Sequence, residues 1–249
     1  MSHLDSDNPI RLSNGECRLV IVQDELQLCP YLASAIARMP LRLPIGTVTP
    51  EVTDQLLESG YRRSGDFVYR TQCPACSECK PTRVDVAQFR FTTSMKRVLK
   101  RGNRDLDCQW GTPHVEQRRV ELFNSHRLAR KLGDGSQVDA DSYRSFLGDS
   151  CCQTIELSVS LHDELVAISI MDIGSNSVSA VYTHFDPSAS RYSLGTFAVL
   201  KQIEWAIETN RQFVYLGMYV ADNHHLNYKA RFTPQQRLCD GQWVVFDGK

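Results

Sequence analysis

The sequence lacks most of the signatures that assign a protein at sight. No window approaches the roughly 18 consecutive apolar residues of a membrane span, so no membrane partner is expected. The amino terminus, MSHLDSDNPIRLSNGE, has no basic segment followed by an apolar run, which leaves the cytoplasm as the expected compartment. The nine cysteines (17, 29, 73, 76, 79, 108, 151, 152 and 239) form an odd set with no evident disulfide framework and read as reduced thiols. There is no serine nucleophile elbow, no His-Glu-x-x-His metalloprotease helix and no phosphate-binding loop. A coenzyme A-dependent acetyltransferase would need a glycine-rich pyrophosphate loop between a strand and a helix. Ser193-Leu194-Gly195 is too short a match for that. No internal repeat or low-complexity tract stands out.

What is present is a strongly uneven charge distribution. The 249-residue chain carries a formal charge of -1 and is 42% hydrophobic, enough to bury one large core or two smaller ones. Between Tyr61 and Arg104, however, eleven Lys or Arg face three acids, Asp66, Glu78 and Asp85. This local excess of +8 leaves about -9 for the rest. A positive surface of that density selects polyanions, RNA first among them and DNA not expected, because phosphate contacts are local and screened over about 10 Å. Lys96, Arg97, Lys100, Arg101 and Arg104 fall on an amphipathic helix expected to start at Ser94 and run toward Gly102. Helical spacing gathers these cations on one side, where they repel one another unless an anion neutralises them.

Within the basic stretch, Cys73-x-x-Cys76-x-x-Cys79 has metal-ligand spacing. With Cys29 upstream it would make four thiolates, a set that suits tetrahedral zinc or an iron–sulfur cluster. Packing as buried reduced thiols is the alternative.

Elements can be placed by periodicity. A strand is expected over Cys17–Val22, then irregular chain from Leu28 to Thr49 because of its prolines. A helix over 50–59 ends at Gly60, one strand covers Tyr61–Arg70, and another returns over Arg83–Val86. Helices follow over His114–Leu132 and Asp139–Leu147. Three strands, 154–161, 164–171 and 177–184, are then closely connected, the first two through His162-Asp163. A helix over Leu194–Thr209, a strand over Phe213–Leu216, a short helix over Leu226–Phe232 and a closing strand over Leu238–Phe246 complete the chain. This order predicts an α+β fold: an acyl-CoA N-acyltransferase-like (GNAT-type) mixed sheet with flanking helices, plus a smaller N-terminal cysteine-containing region. The expected boundary is approximate, 1–104 for the cysteine-containing and basic region and 105–249 for the acyltransferase-like domain.

The segments YRRSGDFVYRTQCPACSECKPTRVDV, SMKRVLKRGNRDL, YTHFDP, SLGTFAVLKQIEWA and LNYKARFTP, in this order and spacing, resemble the aminoacyl-tRNA–protein transferases. The resemblance spans about Cys29 to Trp243. It implies transfer of an aminoacyl group from tRNA to a protein beginning with Asp or Glu, which marks that protein for degradation. The bacterial branch implies leucyl-tRNA as donor, and eukaryotic relatives imply arginyl-tRNA. Related arginyl enzymes imply an iron–sulfur cluster at amino-terminal cysteines, here Cys29, Cys73, Cys76 and Cys79.

The chemistry itself requires no cofactor. An aminoacyl ester is already activated, so neither ATP nor a covalent nucleophile is needed. Holding amine against ester could supply much of the roughly 7–11 kcal/mol available from proximity. Donors must stabilise the oxyanion and a proton must reach the leaving ribose oxygen. Tyr182 and Asp186 in YTHFDP, with Tyr228 and Lys229 in NYK, are the candidates for that work. An acceptor carboxylate calls for a cation, ideally a forked Arg. Arg62, Arg63 and Arg231 are the candidates, Arg63 or Arg231 preferred. The rival class is a non-catalytic zinc-ribbon RNA-binding module, for which the second half of the chain would matter only to folding.

Overall fold

The computed structural model describes residues 10–12 and 17–248. The chain begins with strands β1 (Ile10–Arg11), β2 (Cys17–Gln23), β3 (Leu26–Leu28), β4 (Ile36–Arg38) and β5 (Leu41–Gly46), helix α1 (Pro50–Glu58), and strands β6 (Arg62–Ser64) and β7 (Phe67–Tyr69). Five of these strands form a small sheet in the order β1-β2-β5-β7-β6, while β3 and β4 make a separate ribbon. Cys17 and Leu19 of β2 alternate inward and meet Val52 and Leu56 of α1, with Tyr61 and Val68 closing the core. Thr49 caps α1 by accepting from the Val52 amide, as its position before Pro50 favours.

The rest of the chain builds one large sheet. Its elements are β8 (Lys80–Asp85), α2 (Thr93–Asp105), β9 (Asp107–Gly111), α3 (Gln117–Arg130), α4 (Ala140–Tyr143), β10 (Thr154–Leu161), β11 (Glu164–Ile173), β12 (Ser177–Phe185), α5 (Leu194–Glu208), β13 (Phe213–Tyr219), β14 (Gln235–Cys239) and β15 (Gln242–Phe246). The order is β15-β14-β8-β13-β12-β11-β10-β9. Every pairing is antiparallel except β12 with β13. This is the predicted α+β arrangement, a mixed sheet with flanking helices. Strand β8, early in the sequence, lies inside that sheet between β13 and β14.

The two faces of the sheet are covered differently. Leu99 of α2 and Phe197, Leu200 and Ile203 of α5 bury one face with Leu157, Met171, Val178 and Val214. On the other face, Val120 and Phe123 of α3 pack on Ile168 and Ile170. The same face holds the small sheet through polar contacts. Arg63 pairs with Asp172 at 2.9 Å, both buried, and Arg83 reaches Glu58 of α1. No helix of the described residues is long and apolar enough to cross a membrane.

Four expectations need correction. The segment after Leu28 is not irregular, since it forms β4 and β5, the latter containing Pro44. Pro44 is tolerated because β5 pairs there with β2 alone; β7 reaches only Leu41 and Arg42. The single strand expected over Tyr61–Arg70 is a hairpin, split at Gly65, whose φ is +58°. The closing strand is likewise a hairpin, turned at Asp240 and Gly241 with φ of +48° and +80°, the signature of a primed two-residue turn. The basic helix is capped by Thr92, not Ser94, and runs through Gly102 to Asp105. A Cβ at Gly102 would run into the Phe197 ring, so the missing side chain serves the α2–α5 contact and not a helix end.

Candidate active site

The parallel pair at the centre of the sheet opens into a fork. Strands β12 and β13 are joined only at Ser177, Val178 and Ser179 against Phe213, Val214 and Tyr215. Past that point both strands continue, and both carry a bulge. Val181 is the extra residue against β11, and Leu216 the extra residue against β8. Each bulge re-aims its strand, so the two diverge with their facing backbone unpaired to one another. One mouth of the fork faces α2 and α5, the other the small sheet and α3.

Two buried cations stand at the second mouth. Arg62 of β6 donates to Ser179 Oγ at 2.8 Å and to the Ala180 carbonyl at 2.5 Å. Burial lowers its pKa, partly offset by Tyr69, Asp172 and Tyr31. Lys229, 6% exposed, lies in the short helical turn Asn227–Arg231. Burial first, and then Arg62, bring its pKa down to about 7. No carboxylate pairs with Lys229 among the described residues. Gly217 lies beside both: its φ of +91° is what calls for glycine at the bulge, since a Cβ there would sit at ordinary contact distance, 3.4 Å from Arg62 and 3.7 Å from Lys229.

Aromatic and histidine side chains surround the pair. The Lys229 ammonium lies 5.1 Å from the Tyr228 ring centroid. Burial raises the pKa of Tyr228, opposed by Arg130. Burial also raises Tyr182, opposed by Arg127 and Arg130, so both phenols stay protonated and can donate. Tyr182 packs edge-on to His126 and Phe146. Arg130 meets His225 at 3.3 Å. On the far side of Arg62, Tyr31 hydrogen-bonds Tyr69, and the Tyr31 carbonyl accepts from Asn223 at 2.9 Å.

The expected site residues are thus partly gathered. Arg62, Lys229 and Tyr228 meet beside the fork, while Tyr182 stands on β12 with its ring packed among Phe123, His126, Phe146 and His184. Asp186 is placed apart from that group: its carboxylate accepts from the Ser188 amide at 2.8 Å, capping the turn after β12. Arg63 lies elsewhere, donating to Asp172 and to the Asp149 carbonyl, while its buried Nη2 has no hydrogen-bond partner among the described residues. Arg231 is exposed, with no ion-pair partner among the described residues. Tyr31, Tyr69, Ser179, Gly217, Asn223, Arg130 and His225 were not expected. Only Gly217 had a signal, a glycine inside a strand-like run.

The expected tRNA-binding residues all lie on the exposed side of α2. Arg104 is paired with Asp105 at 2.6 Å, and Arg101 donates to the Arg191 carbonyl. Lys96, Arg97 and Lys100 have no acidic partner among the described residues.

The four cysteines share one neighbourhood. Burial first, then Cys29, Cys73 and Cys76, push the Cys79 thiol up to about 12. The donor chemistry suits a tetrathiolate site, but the spacing does not. Among the described residues no three His, Cys, Asp or Glu stand close enough to hold one ion.

The chain was compared with known proteins. The model for the amino terminus of arginine-tRNA-protein transferase matches residues 27–97, and that for its carboxyl terminus matches residues 118–239. The chain belongs to this transferase family. A relative from Acinetobacter baumannii, named aspartate/glutamate leucyltransferase, is 36% identical over 86% of this chain and 80% of its own. Relatives of the same name from Marinobacter nauticus and Thiobacillus denitrificans are 35% and 33% identical, each covered over 91% of its length. Among solved structures, the C-terminal domain of a putative lysylphosphatidylglycerol synthetase from Agrobacterium fabrum matches with a TM-score of 0.48. It is 13% identical, over 86% of this chain and 71% of that one. A GCN5-related N-acetyltransferase from Kribbella flavida matches at 0.36, 14% identical over 58% and 49%.

Proposed function

We propose that this transferase moves leucine from leucyl-tRNA onto cytoplasmic proteins whose first residue is Asp or Glu, marking them for degradation. The observation that carries the acceptor half is the buried pair Arg62 and Lys229, adjacent to one another and without a carboxylate on Lys229. Arg62 is the charged member of the pair, since burial and Arg62 itself bring Lys229 down to about 7. A desolvated guanidinium with no paired carboxylate among the described residues is costly unless an anion joins it. An acidic first side chain supplies that anion, and its own α-amine is then set into the fork. Leucine as donor rests on the names of the relatives.

The donor approaches from the opposite mouth, where Lys96, Arg97 and Lys100 of α2 provide phosphate contacts beside α5. The acceptor α-ammonium has an ordinary pKa near 8. Neutral Lys229 takes one proton from it, and the freed nitrogen attacks the ester carbonyl. Tyr182 and Tyr228 donate to the developing oxyanion, whose negative charge is stabilised by donors already in place. The bond to the ribose oxygen then breaks. Of the two protons lost by the ammonium, one ends on that oxygen and one in solvent. No step uses the cysteines. Their proposed part is to hold the loop between β7 and β8 as reduced thiols, and stoichiometric zinc or iron after anaerobic purification would contradict that.

The test is label transfer from leucyl- and arginyl-tRNA into peptides beginning Asp, Glu, Arg or Ala. Transfer of leucine to the Asp and Glu peptides alone is expected. Transfer of arginine instead replaces the donor while keeping the acceptor reading, and no transfer from either tRNA overturns the proposal.

A further inference from the structure

A cavity of about 260 Å³, open on one side, lies against the β6–β7 hairpin that carries Arg62. It is lined by Gln23, Glu25, Gln27, Tyr31, Met39, Leu41, Ser64 and Tyr69. Gln23 ends β2, Glu25 lies in the link that follows and Gln27 is on β3, so the polar side of the cavity comes from the passage between the small sheet and the ribbon. The opposite side is shared with the catalytic fork. Tyr69 is the direct cross-strand partner of Arg62, and Ser64 lies two residues beyond Arg62 on β6. The three side chains therefore occupy one face of that hairpin. Tyr31 joins cavity and fork as well, since it bonds Tyr69 and influences Arg62.

The charge of the cavity is opposite to that of the fork. Asp24, next to Glu25, is already paired with Arg38 at 2.6 Å. Glu25 has no cationic partner among the described residues and is exposed. A chain with its first side chain on Arg62 and its amine in the fork must leave the fork along its backbone. At roughly 3.3–3.6 Å per extended residue, the next two residues reach past Tyr31 and Tyr69.

We propose that this cavity binds the second and third residues of the acceptor protein, and that Glu25 favours a cationic side chain there. The inference rests on the acceptor reading above. It adds a specificity that the first residue does not determine: an Asp followed by Lys or Arg is a better acceptor than an Asp followed by Glu.

The experiment compares leucine transfer into Asp-Lys-Lys, Asp-Ala-Ala and Asp-Glu-Glu peptides of equal length, with wild type, Glu25→Gln and Glu25→Lys. For wild type, the Lys peptide is expected to exceed the Glu peptide about five- to ten-fold in kcat/KM, through KM, as suits one partly exposed charge contact. Glu25→Gln should level the three peptides, and Glu25→Lys should invert the order. The KM for leucyl-tRNA and kcat with the Ala peptide should not move. Equal use of the three peptides by wild type, or a preference that survives Glu25→Lys, overturns the proposal while transfer to Asp-Ala-Ala keeps the acceptor reading intact. Absence of transfer to all three overturns both.

Discussion

Lys229 and Arg63 show how burial gives two cations opposite tasks. Both are buried, but Arg63 has Asp172 and Lys229 has no acidic partner among the described residues, so one holds the fold and the other is the base of the proposed reaction. With Lys229 titrating near 7, kcat/KM for an Asp peptide should rise through pH 7 as the neutral amine becomes populated. In Lys229→Met that rise should disappear and the rate should fall about 10²–10⁴-fold, the usual worth of a positioned base. Stopped-time transfer assays from pH 6 to 9 measure both. Arg63→Met should instead leave the peptide KM alone and lower stability by about 3–5 kcal/mol, since it strands Asp172. Thermal unfolding beside the peptide KM separates the two outcomes. In the sequence Arg62 and Arg63 are equivalent. Only the pleat, which sends one to Asp172 and the other to Ser179, distinguishes them.

Among the elements, the fork between β12 and β13 and the helix α2 matter most. The strands themselves were readable, because Val, Ile and Leu alternate or run continuously in β10, β11 and β12. The fork was not, because bulges at Val181 and Leu216 depend on partners distant in sequence. The hairpins at Gly65 and Asp240-Gly241 were hidden for a different reason: apolar residues on both sides read as one run. The cations of α2 are legible as a charged face, but the pairing of Arg104 with its neighbour Asp105 depends on side-chain geometry that spacing does not show. Charge reversal at Lys96 and Lys100 should raise the leucyl-tRNA KM and reduce its salt dependence by about one unit of slope per lost phosphate contact. Reversal at Arg104 should do less, its charge being already neutralised. Titrating activity against salt distinguishes these. Gly102→Ala should destabilise by about 1–3 kcal/mol despite the better helix propensity of alanine, because the methyl group displaces Phe197.

At the scale of the whole molecule, the small sheet and the large one are joined around the fork through Arg62, Arg63 and Arg83, so the proposed acceptor recognition and folding share an interface. Buried histidines add an acid sensitivity. Burial holds His184 down at about 3 and His126 at about 4, against an ordinary value of 6.5. An unfolded chain protonates both below 6.5 while the folded chain does not, so stability is retained above that pH and lost as pH falls below it. At pH 5 the loss is about 2 kcal/mol per histidine. Urea unfolding at pH 7 and pH 5 should show that difference, and His184→Gln should reduce it if the variant folds.

The acidic-acceptor reading is most directly tested by exchanging one oxygen for nitrogen. Leucine transfer from leucyl-tRNA should be measured for otherwise identical peptides beginning Asp and Asn, with wild type and Arg62→Met. A buried cation meeting a carboxylate predicts that wild type favours Asp by about 10²-fold or more in kcat/KM, and that Arg62→Met loses most of that preference. Equal use of Asp and Asn by wild type, or full discrimination in the variant, would contradict it.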